Sequence, residues 1–395
     1  MVMAEWLSIV GIGEDGAEGL SKASLAALAG AQVVFGGPRH LAMVDHPDKR
    51  DWPVPFSIAP VLALRGQRVA VLASGDPFWH GAGGTLAAAL EPGEWRAYPA
   101  ASVFSLAAAR RGWRLEETPC LGLHAAPLTR LRPHLAPGAR LIVTLRDGAA
   151  VADLARWLTA EGFGESRLSV MEHLGGPRER IRDARADAPV PDGIGPLVTV
   201  ALTVAGEGRV IPCASGLADD LFDHDGQITK RPVRALALSA LAPRPGELLW
   251  DLGAGSGSVG IEWLLAHPGN RCIGVERDAA RAARARSNAA TLGVDRLDLR
   301  EGAALDLLAG LPDPQAVFVG GGCEAALLAA LWDRLPAGTR LVVHAVTLET
   351  EALLALWHGD KGGSLLRIDL AEAAPLGRKR GWKSAWPVVQ WSVTR

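Results

Sequence analysis

Apolar and polar residues form a repeating succession of strand-like and helix-like segments along the first half of the chain. A short apolar run at 6–10 is typical of a buried strand, and a glycine turn leads from it into segment 21–31, which is typical of a helix. The same succession recurs up to segment 196–204, which has the character of a late strand. This alternation predicts an α/β domain in which helices connect the strands of a sheet.

A break in the pattern separates this half from a second α/β region. Segment 205–227 is rich in glycine and aspartate and has little periodicity, whereas 233–242 predicts a helix and 247–253 predicts a strand. We therefore predict a first domain at 1–205, a linker at 206–220 and a second domain at 221–395.

Length and composition limit the classes of protein that this chain can be. A chain of 395 residues is too long for one ordinary hydrophobic core, which agrees with two domains. The formal net charge of −2 gives no general attraction for nucleic acid, so we predict no nucleic-acid partner. No apolar run is long enough to span a membrane, and the start of the chain does not have the pattern of a secretory leader. Because such a run is missing, we expect no membrane partner. The four cysteines are far apart and form no CxxC pair, so we expect no metal site, no disulfide and a cytoplasmic location.

The stretch DLGAGSGSVG at 251–260 predicts a glycine-rich turn between a strand and a helix. Such a turn lets the backbone approach a ligand closely, and the helix that follows offers free N–H groups. The stretch has no Gly-Lys-Ser/Thr of a P-loop, and the GxGxxG pattern of Gly255, Gly257 and Gly260 is weak evidence for a dinucleotide when it stands alone. The longer pattern D-x-G-x-G-x-G resembles motif I of S-adenosylmethionine (SAM)-dependent methyltransferases. The resemblance implies SAM contacts from Asp251, Gly253, Ala254, Gly255, Ser256 and Gly257.

The segments around this turn carry residues in matching positions. Glu276 ends the next predicted strand, where an acid can accept both hydroxyls of a ribose. The resemblance also places Ala303 and Ala304 beside the adenine and gives Thr229 a contact with SAM. The fourth strand ends in glycines at 320–322 instead of the Asn/Asp-Pro-Pro-Tyr/Phe of many enzymes that methylate the amino nitrogens of bases. An N-methylating enzyme of nucleic acid is therefore disfavoured.

The stretch SGDPFWHG at 74–81 follows a buried strand of the first half. Ligands of open α/β sheets bind at the carboxyl ends of strands, although a Gly-Asp-Pro turn by itself is common. With IVGIGEDGAEGLSKASLAALAGAQVVFGGPRHL upstream, and YPAASVFSLAAARRG and MEHLGGPRERI downstream, the stretch resembles the tetrapyrrole (corrin/porphyrin) methylase family. That family binds SAM between two α/β subdomains and has no motif I. The resemblance implies a second SAM site lined by Gly11, Gly13, Gly75, Asp76, Pro77, Ala101 and Ser102.

The second half resembles another family of corrin-forming enzymes. Its segments FDHDGQITKRPVRALALSALAP, HAVTLET and WPVVQW are similar to those of the precorrin-8w decarboxylase/C15-methyltransferase family. A fusion of two such domains resembles the decarboxylating precorrin-6Y C(5,15)-methyltransferase family of the aerobic cobalamin pathway. The implied fold is α/β, with an N-terminal tetrapyrrole methylase fold of two α/β subdomains and a C-terminal Rossmann-like class I SAM methyltransferase domain.

The same resemblance implies a reaction and its partners. The substrate is the reduced tetrapyrrole precorrin-6B (6Y), which the first domain methylates at carbon 5. The second domain methylates carbon 15 and removes carbon dioxide from the ring C acetate, giving precorrin-8X. SAM is bound once in each domain, and because the related families are often dimers or tetramers, we expect a homo-oligomer.

Two positions depart from the family pattern, and they bear on the choice of catalytic residues. His344 stands where an asparagine is usual, and Trp386 replaces the asparagine of a usual Asn-Pro-Val. The sequence offers His344, Glu349 and His80 as candidates for acid–base work. A guanidinium fork matches a carboxylate, so the candidates for the substrate's carboxylate arms are Arg231, Arg378, Lys379 and Arg380, although GRKRGWK also fits a solvated loop.

Other functions fit parts of the sequence. A two-domain SAM methyltransferase that acts on another cyclic small molecule would have the same two SAM sites. A non-catalytic SAM- or tetrapyrrole-binding protein would have the same glycine turns but catalyse no methyl transfer. A nucleic-acid methyltransferase is weakened by the net charge and by the glycines at 320–322, and a dinucleotide-dependent oxidoreductase rests on the GxGxxG match alone. Methyl transfer to a tetrapyrrole is the observation that separates these alternatives.

Overall fold

The computed structural model describes residues 5–395, which form two compact units. The first unit comprises 5–128 and 134–209, and the second comprises 129–133 and 210–395. Of the predicted linker, 206–209 pack with the first unit and 210–220 pack with the second. No helix within 5–395 combines the length and the apolar character that crossing a membrane requires.

The first unit opens with a sheet of five parallel strands, as the alternating pattern predicted. The strands are β1 (Leu7–Ile12), β2 (Val33–Gly36), β3 (Lys49–Asp51), β4 (Val69–Ser74) and β5 (Trp95–Tyr98). The helices are α1 (Lys22–Gly30), α2 (Pro38–Leu41), α3 (Ala59–Leu62) and α4 (Ala82–Ala88). The strand order is β3-β2-β4-β1-β5. The inner strands β1 and β4 are almost wholly buried, because both faces of a parallel sheet are covered.

A second sheet of five strands follows in the same unit, and it is mixed. The strands are β6 (Cys120–Gly122), β7 (Arg140–Thr144), β8 (Arg167–Glu172), β9 (Arg180–Arg185) and β10 (Val198–Thr203). The helices are α5 (Val103–Arg111) and α6 (Ala149–Ala160). The order is β6-β7-β10-β8-β9, in which β6 and β7 are parallel and the other neighbours are antiparallel. Both α/β parts of the first unit agree with the predicted fold class.

The second unit contains a sheet of seven strands with helices between them. The strands of this sheet are β11 (Leu248–Leu252), β12 (Arg271–Glu276), β13 (Asp298–Glu301), β14 (Ala316–Val319), β15 (Arg340–Ala345), β16 (Ser364–Ile368) and β19 (Val388–Thr394). The helices are α7 (Arg231–Leu241), α8 (Ser258–Ala266), α9 (Ala279–Thr291), α10 (Ala304–Leu307), α11 (Ala325–Arg334) and α12 (Leu348–Lys361). Alternate residues of β11 enter two core layers, with Leu249 in one and Trp250 in the other.

The strand order of this sheet determines where a ligand can bind. It is β13-β12-β11-β14-β15-β19-β16, with β11 to β15 parallel and the last two strands antiparallel to their neighbours. The chain leaves β11 toward β12 on one side and later returns to β14 on the other. The carboxyl end of β11 is therefore the point at which the winding reverses, where open α/β sheets bind ligands.

A separate hairpin interrupts the chain between β16 and β19. It consists of β17 (Ala371–Leu376) and β18 (Lys379–Ser384), which pair with each other in a sheet of two strands. The hairpin exposes Leu376 by 70% and Trp382 by 79%. The periodicity of the sequence did not predict this hairpin.

Candidate functional site

A glycine-rich turn joins β11 to α8 in the second unit. Gly253, Gly255 and Gly257 have φ angles of 75°, 57° and 77°, in the left-handed region that favours glycine. The N–H groups of Gly253 and Ala254 donate to the carbonyl oxygen of Val275 at 2.9 and 3.0 Å, which folds the turn against β12. A Cβ atom at Gly255 would meet only the carbonyl oxygen of Gly253, at 4.0 Å, so this side of the turn faces open space.

Glu276, the last residue of β12, holds the turn from the neighbouring strand. Its Oε2 accepts the N–H of Gly255 at 2.8 Å, and its Oε1 accepts the N–H of Asp278 at 3.0 Å. The residue is 6% exposed. Each carboxylate oxygen can accept more than one hydrogen bond. The side chain can therefore accept the two hydroxyls of a ribose while it keeps the turn in place.

Asp251 acts on the turn from inside β11. It is 1% exposed, and its Oδ2 accepts the N–H of Gly260 in α8 at 3.0 Å. Burial raises the pKa of Asp251 to about 7; the hydrogen bond from Gly260 opposes this increase, and the charge of Glu276 adds to it. The geometry gives Asp251 an internal contact, and its contact with SAM stays a prediction.

We expect Asp251→Asn to change how the stability of the chain depends on pH. The folded chain keeps a proton on Asp251 up to about pH 7, whereas the unfolded chain loses it near 3.8. Between these values the folded state binds the extra proton, so this residue lowers the free energy of unfolding as pH rises, by an amount on the order of 4 kcal/mol. In urea unfolding at pH 5 and pH 8, the variant should therefore gain stability relative to the wild type at the higher pH.

The control for this experiment is Asp298→Asn, which replaces an exposed aspartate of β13. We expect the stability difference between this variant and the wild type to be the same at both pH values. If the free energies of unfolding of Asp251→Asn and the wild type also differ by the same amount at both pH values, Asp251 is ionised in the folded chain throughout this range.

The loops after β13 and β14 end at the same edge as the glycine turn. The N–H of Gly302 donates to the carbonyl oxygen of Glu276 at 3.0 Å, and the N–H of Gly320 donates to that of the last residue of β11 at 3.2 Å. Ala303 immediately precedes α10, and Ala304 is its first residue. The structure thus brings most of the residues predicted to bind SAM in the second domain to the point where the winding reverses.

In the first unit, three predicted loop segments come together. A Cβ atom at Gly11 would lie 1.9 Å from the carbonyl oxygen of Gly75, and a Cβ atom at Gly75 would lie 2.9 Å from that of Ala101. Gly75 also has a φ angle of 55°, and its N–H donates to the carbonyl oxygen of Ile12 at 2.9 Å. The close packing of the end of β1, the loop after β4 and the segment before α5 therefore depends on glycine at both positions.

Two polar residues of these loops stabilise them locally. Oδ1 of Asp76 accepts the N–H of Phe78 at 2.9 Å, which closes the turn that contains Pro77. Ser102 caps the N-terminus of α5, because its Oγ accepts the N–H of Ser105 at 3.1 Å. A contact of either side chain with SAM stays a prediction.

Comparison with known proteins assigns a family to each unit. Residues 7–189 match the family of tetrapyrrole (corrin/porphyrin) methylases, and residues 220–395 match the precorrin methyltransferase domain. A protein of Sinorhizobium sp called precorrin-6Y C(5,15)-methyltransferase [decarboxylating] is 48% identical over 402 residues, which cover 100% of this chain and 97% of the relative. The chain belongs to the decarboxylating precorrin-6Y C(5,15)-methyltransferase family.

Further members of the precorrin-6Y methyltransferase family are also similar to this chain. A protein of the same description from Mycobacterium tuberculosis is 42% identical, with 98% of this chain and 99% of the relative covered. The crystal structure of the C-terminal domain of precorrin-6Y C5,15-methyltransferase from Rhodobacter capsulatus is 52% identical, with 47% of this chain and 100% of that chain covered and a TM-score of 0.46. Tetrapyrrole methylases of this kind use SAM as methyl donor.

His344, one of the departures from the precorrin-6Y family pattern, lies inside the sheet. It belongs to β15, is 2% exposed, and its Nε2 bonds with Oε1 of Gln390 in β19 at 3.0 Å. Burial lowers its pKa, which the hydrogen bond with Gln390 partly offsets. Glu349 is exposed in the first turn of α12, and Trp386 is 89% exposed. The contacts of His344 fit a neutral imidazole that stabilises the sheet, and its catalytic role stays a prediction.

His80 has an unusual backbone conformation beside the loop after β4. Its φ angle is 60°, and its ring lies edge-on to Phe104 with the ring centroids 6.1 Å apart. A Cβ atom at Gly122 would lie 3.0 Å from the imidazole ring. Burial, with a smaller contribution from His124, lowers the pKa of His80. Non-glycine residues with positive φ cluster at functional sites, so His80 stays a candidate for acid–base work.

The residues predicted to bind substrate carboxylates lie at two places in the second unit. Arg231 is the exposed first residue of α7. Arg378 lies in the two-residue turn of the exposed hairpin, directly after Gly377, whose φ angle is 59°. Lys379 and Arg380 begin β18, so the basic run is part of a hairpin rather than an irregular loop.

A buried ion pair that the sequence did not predict supports the segment before α7. Arg234 is 0% exposed, and its Nε donates to Oε1 of Glu262 at 2.5 Å. Its other nitrogens donate to Asp219 at 3.1 Å and to the carbonyl oxygens of Leu217 and Thr229. Glu262 also accepts the N–H of Leu217 at 2.9 Å. Arg234 therefore holds the backbone of Thr229, which is predicted to bind SAM. In the sequence, Arg234 is only one arginine of an amphipathic helix.

A second polar cluster missed by the sequence reasoning lies at the carboxyl ends of β2 and β4. Nη2 of Arg39 lies 2.8 Å from Nε2 of His40 and 3.0 Å from Oγ of Ser74, and the last two atoms are 2.9 Å apart. Glu14 accepts from Arg39 and bonds with Nδ1 of His173 at 3.0 Å. In the sequence, the segment GGPRHL contributes only to the family resemblance, because local spacing does not show that His40 contacts Ser74.

Proposed function

We propose that this chain is a bifunctional SAM-dependent C-methyltransferase of cobalamin biosynthesis. It methylates carbons 5 and 15 of precorrin-6B (6Y) and removes carbon dioxide from the ring C acetate, which gives precorrin-8X. The observation that carries this proposal is the 48% identity, along the whole chain, with a relative called precorrin-6Y C(5,15)-methyltransferase [decarboxylating]. Both halves of the chain contribute to that match, so both activities are proposed together.

We propose further that each unit holds one SAM and performs one methylation. The first unit matches tetrapyrrole methylases and methylates carbon 5, whereas the second matches the precorrin methyltransferase domain, methylates carbon 15 and decarboxylates. Each unit also has its own glycine-lined loops at the carboxyl ends of parallel strands. This duplication of loop architecture supports two SAM sites instead of one.

In the second unit, the residues of the turn fit SAM. The open space beside Gly255 leaves the backbone accessible, and a side chain at this position would project into it. Glu276 holds the turn and has lone pairs left for the ribose hydroxyls. Gly253 and Gly257 keep the backbone in the conformation that this turn requires. Ala303 and Ala304, at the start of α10, would lie beside the adenine. These residues bind and orient the cofactor.

In the first unit, the segments around Gly11 and Gly75 also fit SAM, but they do so with backbone atoms. The N–H of Gly75 donates to the carbonyl oxygen of Ile12 at 2.9 Å, and the N–H of Ala100 donates to that of Gly75 at 3.2 Å, so peptide groups join these segments. Gly13, Asp76, Pro77, Ala101 and Ser102 lie in the same three loop segments. Peptide N–H and C=O groups can hydrogen-bond a ligand without any charged side chain.

The chemistry needs little covalent help from the chain. When bound, SAM supplies an electrophilic methyl group to a meso carbon of the tetrapyrrole that is already nucleophilic. The protein therefore contributes mainly by aligning the two groups and by excluding water. We propose that Arg231, Arg378, Lys379 and Arg380 bind the carboxylate arms of the substrate, because guanidinium and ammonium groups pair with carboxylates.

The test is mass spectrometry of the product formed by the full chain from precorrin-6B and SAM. We expect a gain of two methyl groups and the loss of one carbon dioxide. A chain that binds SAM and leaves the mass of the tetrapyrrole unchanged would contradict the proposal and favour a non-catalytic binding protein. Methylation of a different cyclic substrate would contradict only the choice of substrate.

We expect Gly75→Ala to remove the carbon 5 methylation and to spare carbon 15 methylation and decarboxylation. The new Cβ atom would lie 2.9 Å from the carbonyl oxygen of Ala101, at a φ angle of 55° that alanine rarely adopts. The matched control is Gly84→Ala in α4, where a Cβ atom has no neighbour within 4 Å. The product of each variant is analysed by mass, and loss of carbon 15 methylation in Gly75→Ala would contradict the division between the units.

We also propose that the chain works in the cytoplasm as a homo-oligomer with a small tetrapyrrole as its substrate. The net charge of −2 supports the absence of a nucleic-acid partner. Light scattering of the purified chain tests the oligomeric state, and a monomer at micromolar concentration would contradict that part of the proposal.

A further inference from the structure

The cluster of Arg39, His40 and Ser74 lies at the carboxyl ends of β2 and β4. Arg39 and His40 belong to α2, which begins directly after β2 and Gly37. Ser74 is the exposed last residue of β4, the strand beside β2, and it directly precedes Gly75. The carboxyl ends of parallel strands are the ligand-binding edge of such a sheet. The three side chains therefore border the same loop that we assign to SAM.

The hydrogen bonds of this cluster determine which nitrogen of His40 carries the proton. Arg39 can only donate, and its Nη2 lies 2.8 Å from Nε2 of His40, so Nε2 is the acceptor. The hydroxyl of Ser74 lies 2.9 Å from the same nitrogen and can donate to it as well. A neutral His40 therefore carries its hydrogen on Nδ1, and the lone pair of Nε2 is shared between Nη2 of Arg39 and the hydroxyl of Ser74.

The surroundings keep this imidazole neutral. Burial, aided by the positive charge of Arg39, lowers the pKa of His40 to about 4, and the negative charge of Glu14 opposes the decrease. Glu14 also fixes the guanidinium of Arg39 and bonds with His173 at 3.0 Å. Because a proton on Nε2 would face a fixed positive charge, a proton taken up there is readily released.

We propose that Ser74 and His40 accept the proton that carbon 5 loses when the first unit methylates it. The proposal rests on the function proposed above for that unit. The π electron pair of the meso carbon forms the new carbon–carbon bond, and the carbon–sulfur bond breaks with its pair left on sulfur. The carbon–hydrogen bond at carbon 5 then breaks, its electron pair restores the double bond, and the proton passes to Oγ of Ser74 as that hydroxyl gives its own proton to Nε2 of His40. Glu14 is a positioning residue that acts through Arg39.

The first experiment follows methylation of carbon 5 and carbon 15 separately in the full chain, with SAM carrying a ¹³C methyl group and NMR of the product. We expect His40→Gln to slow carbon 5 methylation about 100-fold or more, the usual contribution of a general base, without slowing carbon 15 methylation. Ser74→Ala should slow the same step, and its side chain is exposed, so the replacement leaves the core intact.

A kinetic isotope effect separates a proton acceptor from a structural role. With deuterium at carbon 5 of the substrate, we expect a larger isotope effect in His40→Gln than in the wild type, because removal of the proton becomes slow. The matched control is His46→Gln, since His46 in the same unit bonds the backbone carbonyl oxygens of Ala31 and Asp48. This control should keep the rate and the isotope effect of the wild type.

A measurement on the chain without substrate tests the cluster directly. In a chain with ¹⁵N-labelled histidine, with the signal assigned by its loss in His40→Gln, we expect His40 to be neutral at pH 7 with its hydrogen on Nδ1. A hydrogen on Nε2, or an unchanged rate at carbon 5 in His40→Gln while the wild type is active, would overturn this inference alone. A wild type that leaves carbon 5 unmethylated would overturn the proposed function and this inference with it.

Discussion

Glu276→Gln is expected to slow carbon 15 methylation and the release of carbon dioxide strongly while the chain still methylates carbon 5. The carboxylate of Glu276 accepts the N–H of Gly255 at 2.8 Å and keeps further lone pairs that can accept hydrogen bonds. An amide in its place has one acceptor oxygen and no charge. Hydrogen bonds to a charged group contribute about 1.5–3 kcal/mol each, so losing those to two ribose hydroxyls should weaken SAM binding at this site about 100-fold or more.

The measurement combines SAM titration of the full chain with the mass of the product. The neighbouring strand provides a matched control, because Glu301 ends β13 in register with Glu276 but is exposed and pairs with Arg286. Glu301→Gln should bind SAM and form the product as the wild type does. If Glu276→Gln kept both activities of the second unit, Glu276 would not be its ribose ligand and the proposed SAM site there would be wrong.

Arg234→Met is expected to destabilise the second unit by about 3–5 kcal/mol. Removing one partner of a buried ion pair leaves the other charge without compensation, and that cost exceeds the cost of losing the packing. Here the uncompensated group is Glu262, which is 5% exposed. The carbonyl oxygens of Leu217 and Thr229 lose their donor at the same time, so the segment before α7 should loosen as well.

Hydrogen exchange of the full chain, resolved by peptide, measures this effect in the second unit. We expect faster exchange in 216–230 and in β11, with the first unit unchanged. Arg231→Met is the matched control, because Arg231 is exposed on the same helix, and an exposed replacement of this kind usually changes stability by about 0.5 kcal/mol or less. Equal exchange in the two variants would contradict a stabilising role for the ion pair.

The sequence predicted the parts of the fold that depend on local patterns. The runs that became β1, β4 and β11 are continuous and apolar because their strands are buried on both faces, and that composition is visible without a structure. It did not predict the hairpin of β17 and β18, whose exposed strands mix charged, small and aromatic residues without a clear alternation. An exposed hairpin has no buried face to impose a period on its residues.

The boundary between the units shows the same limit. Segment 205–227 has the composition of a linker, yet Leu217 and Phe222 are buried with the core of the second unit. The contacts that order it come from Arg234 and Glu262, which are distant in sequence and which no composition rule connects to it. The glycine and aspartate residues of this segment predicted a loop. Hydrogen bonds to residues distant in sequence determine where that loop lies.

The sequence by itself determined the glycine turns and the position of Glu276 at the end of β12, because the special backbone conformation and the acid at the end of a strand are encoded by residues at fixed local spacing. Their contacts with SAM stay a prediction. Tertiary structure alone decided that Asp251 is buried against Gly260 and that His344 pairs with Gln390 inside the sheet. It alone placed Arg39 and His40 beside Ser74, 34 residues farther along the chain than His40. The physical reason is that pKa values, ion pairs and proton acceptors depend on burial and on neighbours from other strands, and neither is written in local spacing.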